Sequence, residues 1–195
     1  MVSFILASGS PRRKDLLQLA QIEFEILISD TQETYPSTLL LEEVPSFIAK
    51  QKAMAVCEKM KTNQIQIFDK CIIAADTIVV LENLVMGKPV DRNDAIASLT
   101  KLSGTTHKVI TGICLLFNDK VETFSETTLV EFHPLTNEQI IYYVDHFKPY
   151  DKAGSYAIQE WIGVIGIKSI QGDFYNVMGL PVSKLVQKLK QLALL

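Results

Sequence analysis

At 195 residues the chain has the length of about one domain, and its 48% hydrophobic and 21% charged content excludes intrinsic disorder, which needs low hydrophobicity and high net charge. Nineteen basic against twenty-two acidic residues leave a net charge of −3, the wrong sign for a protein that coats nucleic acid. The three cysteines, Cys57, Cys71 and Cys114, are odd in number and form no CxxC pair, which excludes a disulfide framework and a zinc finger.

Strand and helix signals alternate along the chain. Phe4–Ala7 reads as a short buried strand, followed at once by a helix through Leu16, Leu17 and Leu19. Phe24–Ile28 reads as a second strand and Pro45–Met60 as a helix with proline near its start. Cys71–Leu81, rich in Ile and Val, predicts a buried strand, with Glu82-Asn83 as the turn into a short return strand at Leu84–Met86. Asp91–Leu102 is an amphipathic helix capped by Asp91 or Asn93 and closed by Gly104. Val109–Phe117 and Glu122–Phe132 alternate as strands, Asn137–Phe147 is helical, and Gly163–Ile170 is expected to be a strand. Val182, Leu185, Val186, Leu189 and Leu192 form a helical stripe, with Pro181 as first residue of the last helix. The prediction is an α/β fold built on a mixed sheet. Met1–Ser8 lacks a basic leader region, and the longest apolar run falls short of the ~20 residues that span a bilayer. The expected location is cytoplasmic, with no membrane partner.

Four segments carry chemistry. In Ser8-Gly-Ser-Pro-Arg-Arg13-Lys14 a strand ends in a Gly/Ser loop, and Ser10-Pro11 opens a helix. Arg12, Arg13 and Lys14 then crowd the positive end of the helix dipole, an unfavourable place for cations that serve only the fold. Loop amides, serine hydroxyls and arginines at a helix N-terminus suit an anion such as a phosphate chain. Asp76 sits within the β-branched run Ile72–Val80, where an ionised carboxylate requires a cation or metal partner. A two-residue turn at Glu82-Asn83 would set paired positions to sum to 165, bringing Lys88 beside Asp76 across the ladder. Lys52 interrupts the four-spaced apolar stripe Ile48, Val56, Met60, by snorkelling or by facing a ligand. Ser29–Glu33 is an acidic loop whose Asp30 or Glu33 could ligate Mg²⁺ beside a phosphate chain. His107 reads as structural rather than catalytic.

Together with Lys50-Gln-Lys52-Ala, Gly87-Lys88-Pro89, Leu102-Ser-Gly104, Thr111-Gly112, Asp151-Lys-Ala-Gly154 and Gly179-Leu-Pro181, these segments resemble the Maf family of nucleoside triphosphate pyrophosphatases nearly end to end. The resemblance implies one domain over 1–195, with an elongated mixed sheet flanked by helices and a central substrate cleft. It implies cleavage of a nucleoside triphosphate between the α and β phosphates, with Mg²⁺ or Mn²⁺ as cofactor. Carried over by position, Ser8 and Arg13 bind phosphate, Lys52 and Lys88 act on the phosphates in catalysis, and Glu33 and Asp76 handle metal and attacking water. Asp76 is the assigned proton acceptor; whether it is the base itself or a metal ligand stays open. Many relatives carry a carboxylate directly before the glutamate, where this chain has Gln32. Arg12, Thr77 and Gln159 match the dTTP/UTP subfamily rather than the one acting on 7-methyl-GTP. Neutral Thr77 and Gln159 suit the edge of a pyrimidine, whereas a cationic methylated guanine would gain from a carboxylate. The rival readings are a non-catalytic nucleotide-binding regulator of cell division and a pyrophosphatase for 7-methyl-GTP or inosine triphosphate. Beyond the nucleotide, a homodimer is compatible with the sequence, which leaves the oligomeric state open.

Overall fold

A computed structural model describes residues 2–195. Strands β1 (Ser3–Leu6), β2 (Phe24–Ile26), β3 (Lys70–Leu81), β4 (Leu84–Met86), β5 (Thr106–Phe117), β6 (Lys120–Phe132) and β7 (Ile167–Gln171) form a mixed sheet of order β2-β1-β3-β5-β6-β7, with β4 paired to β3. The helices are α1 (Pro11–Leu19), α2 (Val44–Thr62), α3 (Arg92–Leu102), α4 (Asn137–Phe147), α5 (Trp161–Gly166), α6 (Phe174–Met178) and α7 (Val182–Gln191). The chain divides into two compact units, one of Met1–Asp76, Thr111–Glu126 and Gly179–Leu195, the other of Thr77–Ile110 and Thr127–Met178.

In the first unit β1 pairs in parallel with both β2 and β3, in the registers Leu6↔Ile26 and Leu6↔Ile73. Cys71 to Ala75 of β3 are all buried, as expected for a parallel strand covered on both faces. Helix α2 buries Ala49, Ala53, Val56 and Met60 with Ile5 and Ile72. It comes very close to β5. A methyl group on Gly112 would fall 2.0 Å from the Ser46 amide nitrogen and 2.3 Å from the Pro45 carbonyl carbon. Only a residue without Cβ lets the first turn of α2 seat there.

The second unit has its own core, in which Leu99, Leu102, Val130, Phe132, Tyr143 and Ile162 are buried together. Asp91 caps α3 by accepting from the Asp94 amide, and Thr136 and Gln139 form a reciprocal capping box on α4. The β3–β4 hairpin keeps the expected register, Leu81↔Leu84 and Val79↔Met86.

Beyond shifts of one to three residues at the ends of α2, β5 and β6, three elements differ from expectation. Gly163–Ile170 is not one strand: Trp161–Gly166 is helix α5 and β7 begins at Ile167. A methyl group on Gly163 would meet the Ile158 carbonyl oxygen at 1.8 Å, so glycine there serves close packing of the helix rather than an extended segment. Strand β2 stops at Ile26, because β1, its partner, ends at Leu6. Pro181 is the N-cap of α7, not its first residue. No helix among the described residues is long and apolar enough to cross a membrane.

Candidate functional site

In an open α/β sheet the groups that meet a ligand gather where parallel strands end at their carboxyl side. The first unit follows that rule. Strand β1 runs out into Ser8–Ser10, β2 into the loop carrying Glu33, and Asp76 lies on β3 just past its pairing with β1. Lys59, near the end of α2, donates to the Ile28 carbonyl at 2.7 Å and holds the start of the acidic loop.

These segments bring together five of the residues singled out in the sequence. The Lys52 ammonium lies 2.6 Å from Asp76 Oδ1 and 2.7 Å from Glu33 Oε1. Asp76 and Lys52 are largely withdrawn from solvent, with side chains 11% and 16% exposed, while Glu33 is 47% exposed. Lys52 therefore does not snorkel; it is the counter-ion that β3 needed for its carboxylate. Beside them, Arg13 Nη1 donates to Ser8 Oγ at 3.0 Å, and its Nε donates to the Gly179 carbonyl at 2.8 Å. Ser8, itself buried, also accepts from the Ser10 amide at 3.3 Å. Ser10 caps α1 by backbone position only, since its side chain makes no capping bond.

Burial pulls the Arg13 guanidinium below its ordinary pKa; the Asp76 charge opposes that, Arg12 adds to it, and Glu33 opposes it again. The arginine thus stands half-buried next to a mixed cluster of charges, a setting in which an arriving anion is less screened than in bulk water. Arg13 is more than a misplaced cation, however. Its bond to Gly179 joins α1 to the segment that leads into α7.

Glu33 and Asp76 present two carboxylate oxygens to one point, now held by the Lys52 ammonium. That donor set fits Mg²⁺ or Mn²⁺, since Mg²⁺ is commonly bound by one or two carboxylates together with substrate phosphates and water. Among the described residues no cluster of three or more His, Cys, Asp or Glu side chains suited to a metal ion occurs.

Thr77, Lys88 and Gln159 belong to the second unit. The β3–β4 ladder ends at Val79↔Met86, so Lys88 lies past the last pair, not beside a ladder partner as the register alone suggested. The loop before it is held differently: the Gly87 carbonyl accepts from the Gly154 amide at 3.1 Å. Gly154 has φ +68°, and a methyl group there would press on Val79 at 3.0 Å. Gln159 is exposed. His107 is buried, with Nε2 2.7 Å from the Tyr156 hydroxyl and its ring stacked on Phe132. Burial lowers its pKa to about 4, so at neutral pH it is an uncharged core residue, as the sequence suggested.

Sequence reasoning missed the buried polar groups of this unit. Asn176, fully buried, donates to the Val109 carbonyl and to Thr128 Oγ1, each at 3.0 Å. Lys152 is buried against Asp151 and Glu160. The clue for Lys152 was its place in the small-residue run Asp151–Gly154, which leaves a long side chain little room to reach water.

The family model described as Maf-like protein matches residues 3–192. The chain is 51% identical over 189 residues to the dTTP/UTP pyrophosphatase of Phocaeicola vulgatus, covering 96% of this chain and 95% of that one. It is 50% identical over 187 residues to the dTTP/UTP pyrophosphatase of Parabacteroides distasonis, covering 95% and 94%. Among solved structures, the Staphylococcus aureus Ham1 protein has a TM-score of 0.47 at 16% identity, over 67% of this chain and 71% of that one, a likeness too weak to bear on fold or function.

Proposed function

This chain belongs to the Maf family, and from that membership we propose that it hydrolyses nucleoside triphosphates, dTTP and UTP first, to the monophosphate and pyrophosphate. The observation that carries the reading is the Lys52 ammonium set between Asp76 and Glu33 beside the Arg13–Ser8 pair. A structural ion pair needs one carboxylate; this arrangement has two, next to a half-buried arginine at a helix N-terminus.

In the proposed reaction water attacks the α phosphorus, the bond to the bridging oxygen breaks, and pyrophosphate leaves. Asp76, withdrawn from solvent, would either accept the water's proton itself or, with Glu33, hold a divalent cation. Ser8 and Arg13 bind phosphate oxygens, Arg13 already oriented by its bond to Gly179. Lys52 and Lys88 offset the charge that accumulates on the phosphates and the leaving group, in general the largest contribution to such reactions. A divalent cation held by Glu33 and Asp76 would add Lewis-acid neutralisation of the phosphate oxygens. Thr77 and Gln159, with Arg12, are assigned to base selection, where neutral donors and acceptors match a thymine or uracil edge. The whole chain would act as one catalytic domain in the cytoplasm.

Pyrophosphate release from dTTP, UTP, 7-methyl-GTP and inosine triphosphate, each with Mg²⁺ and with Mn²⁺, tests this reading. The expected order places dTTP and UTP first in kcat/KM. Equal values for dTTP and 7-methyl-GTP would defeat the base assignment and leave the pyrophosphatase standing. Binding of these nucleotides without any release would favour a nucleotide-sensing regulator instead.

A further inference from the structure

Gln159 is exposed, yet the backbone on both sides of it is fixed by a polar network that runs from the buried Tyr143 and Lys152 to the half-buried Glu160. The Tyr143 hydroxyl, from the fully buried face of α4, accepts from the Ala157 amide at 3.2 Å and donates to a Glu160 carboxylate oxygen. The other Glu160 oxygen lies 3.4 Å from the Lys152 ammonium, which also sits 2.8 Å from Asp151. Ile158, between these anchors, is buried in the core. Burial pushes the Tyr143 hydroxyl well above the usual phenol range, and the neighbouring Glu160 carboxylate adds to the shift, so it remains a donor under all working conditions.

Packing alone does not call for this network. Phenylalanine at 143 and methionine at 152 would fill the same space without burying a charge and a hydroxyl, and polar groups in such places are retained only where every member is satisfied. Its anchors fall on Ala157 and Glu160, which flank Ile158-Gln159. From Lys152 the chain runs directly into the turn whose Gly154 amide holds the Gly87 carbonyl, one residue before Lys88. One set of bonds thus fixes the backbone next to Gln159 and Lys88, two of the three substrate-contact residues proposed for the second unit.

We infer that Tyr143, Glu160 and Lys152 are positioning residues that set the orientation of Gln159 and thereby the choice of base. The inference rests on the reading of Gln159 as a base-selecting residue. Losing the Tyr143 hydroxyl would free the Ala157 amide and one Glu160 oxygen together. Gln159 would then sample several orientations, and a displacement of about 1 Å in a positioning contact can change rates by about 10²-fold.

The experiment compares kcat/KM for dTTP and for 7-methyl-GTP in Tyr143→Phe, Glu160→Gln, Lys152→Arg and Gln159→Ala, with thermal melting of each. Tyr143→Phe and Glu160→Gln are expected to narrow the ratio of the two values by about tenfold, chiefly through a higher KM for dTTP. Lys152→Arg, which keeps the cation, should retain most of it. A purely structural loss would lower both activities in proportion and leave the ratio unchanged, and that outcome in both Tyr143→Phe and Glu160→Gln would overturn the inference. If Gln159→Ala narrows the ratio and those two do not, the network fails while Gln159 keeps its role. If Gln159→Ala itself leaves the ratio unaltered, the base-selection reading falls, and the inference with it.

Discussion

Lys52 and Asp76 face each other at 2.6 Å, a helix-borne cation meeting a carboxylate from the interior of a β-branched strand. Replacing Asp76 by asparagine keeps the shape, leaves Lys52 paired with Glu33, and removes both the proton acceptor and a negative charge. The protein should fold, and kcat should fall by ~10²–10⁴-fold, as for loss of a general base. Steady-state kinetics checks this; a kcat within about threefold of the parent would remove Asp76 from the mechanism.

Lys52→Met leaves two carboxylates facing one another without their cation. The free protein should lose about 1–3 kcal/mol, less than for a fully buried pair because Glu33 is half exposed. Mg²⁺ added without nucleotide should raise the melting temperature of the variant more than that of the parent, since the ammonium no longer competes for the two oxygens. Equal Mg²⁺ shifts would show that Glu33 and Asp76 do not share the ion.

For Arg13 the helix dipole alone predicts that alanine leaves the free protein as stable or more so. The bonds to Gly179 and Ser8 reverse that sign. Arg13→Ala should lower stability by about 1.5–3 kcal/mol, the usual worth of hydrogen bonds from a charged donor, and also raise KM. Denaturant titration beside kinetics separates the two. Unchanged stability would mean that the Gly179 contact contributes nothing, whereas unchanged KM would move the phosphate elsewhere.

Gly112→Ala should be more damaging than its size suggests, because the added methyl meets helix backbone rather than a movable side chain. Displacing α2 also displaces Lys52. A loss of about 3 kcal/mol, near 6–12 °C in melting temperature, is expected. Calorimetry finding a change below about 1 kcal/mol would show that α2 can shift at little cost.

His107 supplies an acid sensitivity. Its folded pKa is lowered to about 4 by burial, whereas the unfolded value is about 6.5. The unfolded state therefore binds the extra proton first, and stability falls as pH drops from about 6.5 to about 4, by about 3 kcal/mol in total. His107→Gln should flatten that part of the pH–stability curve. An unchanged slope in denaturant titrations across this range would assign the sensitivity to other groups.

The sequence signals reached furthest where local chemistry and tertiary packing agree. Asp91, the Glu82-Asn83 turn and the apolar run of β3 each specify their element locally, and the structure follows them. The conflict between three cations and a helix N-terminus was legible too, as was the need of Asp76 for a partner. That Lys52 would be that partner was not, because only tertiary packing, with Ile72 of β3 buried among Ala49, Ala53 and Val56 of α2, brings strand and helix together. Trp161–Gly166 defeated periodicity for another reason: a short run of apolar residues and glycines reads equally as strand or helix. The Tyr143–Glu160–Lys152 network could not be read at all, since long-range polar pairing leaves no periodic trace.

The bond from Arg13 to Gly179 spans 166 positions of the chain. During synthesis Ser8, Arg13, Lys52 and Asp76 all emerge well before the carbonyl that fixes the arginine. Until then β1 and β3 lack the final segment of their compact unit, Gly179–Leu195, and exposed apolar surface of that kind is prone to aggregate. Such a distant contact also slows folding, because loop closure precedes any reward from it. A chain ending before Gly179 would carry Ser8, Arg13, Lys52 and Asp76 but lack the carbonyl that orients the arginine.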